Sequence, residues 1–255
     1  MSFFDGVKLI VSEYYMLFLR GIGVTMLISM IGTVAGFFIG LVVGVIRTIP
    51  VKKEDNLLKR IFLTAVKFIC VAYVEIFRGT PLIIQAAVIY YGIFMGVDID
   101  IFVCALIIVS INTGAYMAEI VRGGSISIDK GQFEGAQAIG MTHTQTMFNI
   151  IIPQVIRNIL PSVANEFVIN IKDTSVLNVI GFTELYFYAK SIVSQNYLTF
   201  ETYIFVALVY FILTFTVTRI LRFIEKKLEG KANYQIVGAG NADAETYAKS
   251  NDLRG

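Results

Sequence analysis

From Gly21 to Ile46 the chain carries no charged residue. As a helix, a stretch of that length crosses the ~30 Å hydrocarbon core of a bilayer, for which about 20 apolar residues suffice. In lipid every backbone N–H and C=O must be bonded within the protein, so only helices or a closed barrel can span. The apolar runs here are continuous rather than alternating, which selects helices. The expected fold class is therefore an all-α integral membrane protein. Composition agrees, with 56% hydrophobic and 16% charged residues and a mean hydropathy of +0.72. The net charge of +2 says little; its distribution says more.

Inside this first span Gly32, Gly36, Gly40 and Gly44 recur every four residues, as three overlapping GxxxG units. Such a stripe lets another helix backbone approach closely. Packing within the subunit and contact between subunits are equally open on sequence.

The remaining chain reads as four further crossings. Residues 1–20 mix Phe3, Phe4, Tyr14, Tyr15 and Phe18 with Lys8 and Arg20, an interfacial segment against the outer headgroups. With Asp5, Glu13 and no apolar h-region, they do not read as a cleavable signal peptide. Arg47, Lys52, Lys53, Lys59 and Arg60 place the next loop in the cytoplasm, so the first span runs from outside to inside. Residues 61–96 exceed one straight span and are interrupted by Glu75, Arg78, Gly79, Thr80 and Pro81. Pro81 lacks a backbone donor and disfavours helix at Thr80. Glu75 and Arg78, three apart, can pair on one helix face. A broken, charged helix is tolerated at membrane depth only where it faces protein or water.

Residues 101–121 form the third span, after an outer loop from Gly96 to Asp100. Asn112, Tyr116 and Glu119 share one face, with Arg122 three residues beyond Glu119. Asn112 serves there as interhelical glue or as a pathway residue. Residues 148–171 form the fourth span, broken by Pro153, Arg157 and Pro161. Glu166, Asn170 and Asp173 lie on one face of it, followed by Thr174 and Ser175. Acids at that depth are a functional-site hypothesis by default; the structural alternative pairs Glu166 with Arg157 or Lys172. Residues 176–201, with Tyr186, Tyr188 and Tyr197, suit an external segment, and 202–218 is the last span. Arg219, Arg222, Lys226 and Lys227 put its end in the cytoplasm. The expectation is five helices, N-terminus outside and C-terminus inside, over residues 21–225, with a flexible cytoplasmic tail at 226–255.

One long polar segment separates the third and fourth spans: IDKGQFEGAQAIGMTHTQTMFNIIIP, from Ile128 to Pro153. On spacing alone it is an interfacial amphipathic helix with a glycine C-cap at Gly140. It also resembles the EAA loop of ATP-binding-cassette importer permeases, with Gly135 where alanine is common and Ile152 where leucine is common. The string RGTPxxxQ from Arg78 to Gln85, and Lys172-Asp173-Thr174-Ser175, resemble the polar amino-acid permeases of the histidine, glutamine and arginine type. The resemblance covers most of residues 20–225. It implies the type I ABC importer permease fold in a prokaryotic cell membrane. It also implies three protein partners: a cytoplasmic ATPase, an extracytoplasmic substrate-binding protein, and a second permease subunit, identical or paralogous. Membrane lipid surrounds the assembly, and no nucleic-acid partner is expected.

Under that resemblance the segment at 128–148 is the coupling element. Gly135, Ala136 and Ala138 make a compact knob, Gly140 a sharp exit at positive φ, and Glu134 a polar anchor. Glu166, Asn170, Asp173, Thr174 and Ser175 are expected to face the translocation path together with Asn112, and Arg78 and Gln85 to meet a ligand carboxylate.

The chain has no Walker A string, since Gly230-Lys231 lacks the upstream glycine and the Ser/Thr, and no HExxH or GxSxG. Catalytic residues, a metal and a cofactor are not expected; ATP is used by the partner ATPase. Cys70 and Cys104 lie in apolar segments as packing residues, and His143 is a surface residue. A secondary transporter or channel using its intramembrane acids as ion sites is the alternative, but no inverted repeat is visible. A membrane enzyme lacks any nucleophile or metal constellation.

Overall fold

A computed structural model describes residues 2–49, 51 and 56–228. All regular structure among them is helical. In order these are α1 (Phe3–Thr48), α2 (Leu57–Gly79), α3 (Leu82–Ile89), α4 (Ile101–Ile126), α5 (Lys130–Ala138), α6 (His143–Thr146), α7 (Ile152–Asp173), α8 (Leu185–Asn196) and α9 (Thr199–Leu228). A π-helical turn, Tyr90–Phe94, prolongs α3, and another, Met147–Ile151, leads into α7, which tightens into a 3₁₀ turn at Thr174–Ile180.

The glycine stripe decides the core. A Cβ at Gly32 would sit 2.6 Å from Val109 Cγ1, at Gly36 2.7 Å from Thr113 Cβ, and at Gly44 2.7 Å from Val121 Cβ; at Gly40 it would overlap Met117. Each four-residue step along α1 therefore meets a four-residue step along α4, and the two helices run parallel with backbones nearly touching. The stripe serves packing inside the subunit. Gly114 and Gly124 continue this closeness on α4: a Cβ at Gly114 would sit 2.7 Å from Ile39 Cγ2 and from Tyr73 Oη, and one at Gly124 would overlap Ile159 of α7. α7 runs antiparallel to α4, with Asn170 beside Thr113 and Ile159 beside Gly124.

Hydroxyls inside the bundle are satisfied by their own helices. Ser29 donates to Thr25 O, Thr33 to Ser29 O, Ser110 to Leu106 O and Ser125 to Val121 O, all at 2.6–2.8 Å. This removes the penalty of an unbonded polar group in an apolar surround. Outward faces carry large exposed apolar side chains, among them Val34, Phe38 and Val42 on α1 and Phe211 and Phe215 on α9.

Among the described residues, four helical stretches are long and apolar enough to cross a membrane: Phe3–Thr48, Ile101–Ile126, Met147–Ile180 and Thr199–Lys227. The region expected to supply another crossing, residues 61–96, is not among these four, and it breaks at Gly79, Thr80 and Pro81 as its sequence predicts. α2 carries Lys59, Arg60, Lys67, Glu75 and Arg78, and the chain breaks at Thr80 before restarting as the short apolar piece Leu82–Phe94. Residues 3–20 differ from expectation. They continue the first span without a break, and at ~1.5 Å per residue the 46-residue α1 is about 70 Å long, well beyond a bilayer core. Ile10 and Phe18 hold the extension, buried against Leu185, Ala189 and Ile192 of α8 and Val206 of α9. Arg47, Lys59 and Arg60 lie in helices rather than in a loop. Lys52, Lys53 and the tail from residue 229 lie outside the described residues.

Gly40→Ala is expected to lower stability by about 1–3 kcal/mol, because the added methyl meets the Met117–Ala118 backbone. Gly23→Ala, with nothing within 4 Å, should be neutral. Thermal unfolding of the two variants in detergent checks this; equal midpoints would remove the stripe from the core.

Candidate functional site

Three polar assemblies lie along α4. The first closes the break between α2 and α3. Pro81 has no N–H to donate, and Thr80 is extended at φ −124° and ψ 147°. Gln85, buried on α3, repairs the gap: its amide nitrogen lies 2.8 Å from Phe77 O, Thr80 O and Thr80 Oγ1. Its carbonyl oxygen accepts from Asn112 Nδ2 at 2.8 Å. Asn112 thus links α4 to α3. Nearby, Tyr73 Oη donates to Ile111 O at 2.6 Å.

The second assembly joins three helices. Asn170 donates to Thr33 Oγ1 of α1 at 2.8 Å and lies 3.0–3.2 Å from Thr113 Oγ1 of α4. Thr174 and Ser175 turn back on their own chain, donating to Ile171 O and Lys172 O. Glu166 and Asp173, on the same face of α7, are half-buried. Neither carboxylate bonds or pairs with another described residue, so the structural pairing of Glu166 with Arg157 or Lys172 is not made. The charges that act on Glu166 through space are Asp173 and Arg78.

The third assembly surrounds Glu119. Its Oε1 accepts from Arg122 Nε at 2.8 Å and from Arg122 Nη2, and its Oε2 from Arg47 Nη1 at 2.8 Å. Arg78 Nη1 stands 3.9 Å from Oε2, and its guanidinium lies 5.6 Å from the Tyr116 ring centroid. Arg78 therefore does not pair with Glu75 as its spacing suggested; it faces Glu119 and the Tyr116 ring of α4 instead. Sequence reasoning found Glu119 with Arg122 but missed Arg47, which reaches Glu119 only because α1 and α4 run parallel.

Glu184 was also missed. It is fully buried, caps α8 through Phe187 N at 2.8 Å, and accepts from Tyr210 Oη at 2.9 Å and from Thr25 Oγ1. An acid just before a helix is a capping signal; its burial is not visible in sequence.

At one end of the bundle α5 stands out from the spans. Asp129 caps its start, accepting from Gly131 N at 2.6 Å. Its end is a Schellman motif: Gly140 is left-handed at φ +80°, Met141 N donates to Ala136 O at 3.1 Å, and Gly140 N donates to Gln137 O at 2.9 Å. Thr142 and Gln145 then form a capping box for α6. Ala136 is buried, while Glu134, Gly135 and Gly140 are exposed. Beneath them Val121 and Ile128 pack with Ile151, Val155 and Ile159, and Phe133 of α5 lies against this cluster. Asn158 donates to Ser127 Oγ at 3.2 Å, tying α7 to the end of α4. α5 is therefore packed on the joined ends of two spans. Cys70 and Cys104 are buried free thiols.

Gln85→Leu is expected to cost about 1–3 kcal/mol by stranding buried carbonyls and the Asn112 amide. Denaturation midpoints, with proteolysis near residue 80 as a local probe, check it; an unchanged midpoint would show that the break does not depend on Gln85.

Residues 36–230 match the protein family described as the binding-protein-dependent transport system inner membrane component. The glutamine transport system permease protein GlnP of Escherichia coli strain K12 is 34% identical over 216 residues, 84% of this chain and 93% of that protein. The probable glutamine ABC transporter permease protein GlnM of Bacillus subtilis strain 168 is 32% identical over 221 residues, 86% of this chain and 97% of that protein. A chain from the crystal structure of an amino acid ABC transporter with histidines aligns with TM-score 0.76 and 34% identity, over 89% of this chain and 99% of that one. A chain of the inward-facing MetNI methionine ABC transporter aligns with TM-score 0.62 at 20% identity, which speaks for the fold alone.

Proposed function

This chain belongs to the inner membrane components of binding-protein-dependent transport systems, and from that membership we propose that it is the permease subunit of an ABC importer for a polar amino acid. Relatives named for glutamine make that amino acid the first substrate to test. The observation that carries the proposal is α5: a small, exposed helix, capped at both ends and seated through Ala136 and Phe133 on the joined ends of α4 and α7. A free-standing transporter has no need of such a knob; a permease driven by a separate ATPase needs a rigid handle for it.

In this proposal α5 is cytoplasmic, and Glu134, Gly135, Ala136 and Gly140 form the contact with the ATPase. The N-terminus lies outside, the C-terminus inside, and α2 with α3 makes the additional crossing as a broken helix. An extracytoplasmic binding protein delivers the ligand, and a second permease subunit completes the path. Glu166 and Asp173 take the ligand's ammonium or side chain by charge-assisted hydrogen bonds, and Arg78 takes its carboxylate. Asn170, Gln85 and Asn112 hold the helices that carry these groups, and Thr174 and Ser175 shape the end of α7. ATP is consumed by the partner, and this chain supplies no catalytic group.

Glu166→Ala is expected to reduce uptake about tenfold or more, or to change substrate preference, since a charged hydrogen bond is worth about 1.5–3 kcal/mol. Unchanged transport of labelled amino acids would remove Glu166 from the path. Gly140→Asp places a β-carbon at φ +80° and should leave the protein in the membrane while ATP hydrolysis no longer drives uptake. Parental transport rates in that variant would contradict the docking role of α5. Uptake driven by an ion gradient in vesicles without an ATPase would instead favour a secondary transporter.

A further inference from the structure

Three guanidinium groups share one carboxylate in the Glu119 assembly. Arg47 and Arg122 engage the two oxygens of Glu119 by hydrogen bonds, and their side chains are 14% and 35% exposed. Arg78 stands outside that shell. It is the most exposed of the three at 43%, it is 3.9 Å from the nearer oxygen, and it makes no hydrogen bond within the described residues. Glu75 forms no ion pair with it. The assembly therefore carries two positive charges in excess. Tyr116 supports the guanidinium on its ring face, which leaves the planar donor edge of Arg78 for an incoming group. Glu166 of α7 lies within reach of its field.

We propose that Glu119, with both oxygens occupied by Arg47 and Arg122, positions Arg78 without neutralising it, and so makes a free α-carboxylate a requirement for the ligand. The inference rests on the amino-acid permease function above and goes beyond it. Glu119 is a positioning residue, since it would not touch the ligand. Its electrostatic pull aims Arg78, while its filled hydrogen-bonding shell keeps Arg78 available. A carboxylate arriving at Arg78 forms two parallel N–H···O bonds and brings the assembly closer to neutrality. An amide in its place offers one neutral acceptor and leaves the excess charge.

Arg47 provides the sharpest test, because it occupies Oε2 of Glu119, the oxygen that Arg78 stands nearest. Arg47→Met frees Oε2 of Glu119, which can then take Arg78 into a direct hydrogen bond and withdraw it from the ligand. The full-length chain, purified with its ATPase subunit in lipid nanodiscs and without the binding protein, would be titrated with each labelled amino acid. The amide of whichever amino acid binds would then be compared with the free acid. The parent is expected to prefer the acid by about tenfold or more. Arg47→Met and Glu119→Gln should both reduce that preference to about threefold or less, and Arg78→Gln should abolish it; Arg47→Lys should keep most of it. A structural role alone would weaken acid and amide together and leave their ratio unchanged. Two results overturn the inference while leaving the amino-acid permease standing: a parent that binds acid and amide alike, or an Arg47→Met variant that keeps the parental ratio. If Arg47→Met does not assemble, the ratio in Glu119→Gln decides in the same way. A parent that binds no amino acid overturns the proposed function, and this inference with it.

Discussion

The structure depends on how closely α1 and α4 approach. Lipid offers two apolar helices no gain from burying their side chains against one another, so close packing and hydrogen bonds must hold them. Glycine at four successive turns of α1 removes the side chains that would keep the backbones apart, and Val109, Thr113, Met117 and Val121 fill the groove. A parallel pair in fixed register follows. That register brings Thr33 and Thr113 to the same level, where one amide, Asn170, ties both to α7. It also brings Arg47 to Glu119, seventy-two residues away in the chain.

The polar groups inside this frame divide by how completely they are satisfied. Gln85, Asn112 and Asn170 have their hydrogen bonds met by neighbouring helices, and Glu184 fixes α8 on α1 and α9. Glu166, Asp173 and Arg78 do not have theirs met within the described residues. Among those residues Glu166 and Asp173 are half-buried with no bonded partner, and Arg78 is exposed with Glu119 3.9 Å away. They lie between α2, α4 and α7. The last two of these helices also carry α5 at the end of the bundle, so α5 and the charges rest on shared helices.

Much of this was legible in the chain itself. The uncharged run from Gly21 to Ile46, the stop at Thr80-Pro81, the left-handed Gly140 and the acid-and-amide face of α7 all follow from local chemistry: hydropathy, a missing donor, an absent Cβ and a period of 3.6. Other points were misread for an equally physical reason. Glu75 and Arg78 have the spacing of an ion pair, but spacing cannot register that Tyr116 and Glu119 compete for the same guanidinium. Residues 3–20 have the composition of an interfacial helix, but composition cannot register that α8 and α9 offer Ile10 and Phe18 a buried surface.

The sequence by itself determined that the chain is helical and membrane-embedded, where its helices break, and that a compact polar segment with a glycine exit separates two spans. These are properties of contiguous residues, set by backbone satisfaction in lipid and by the conformational limits of proline and glycine. Only the tertiary structure decided which helix the glycine stripe receives, which carboxylate holds which arginine, and which charges are left without a partner. Those outcomes depend on distances between residues far apart in the chain, and such distances exist only once the helices have packed.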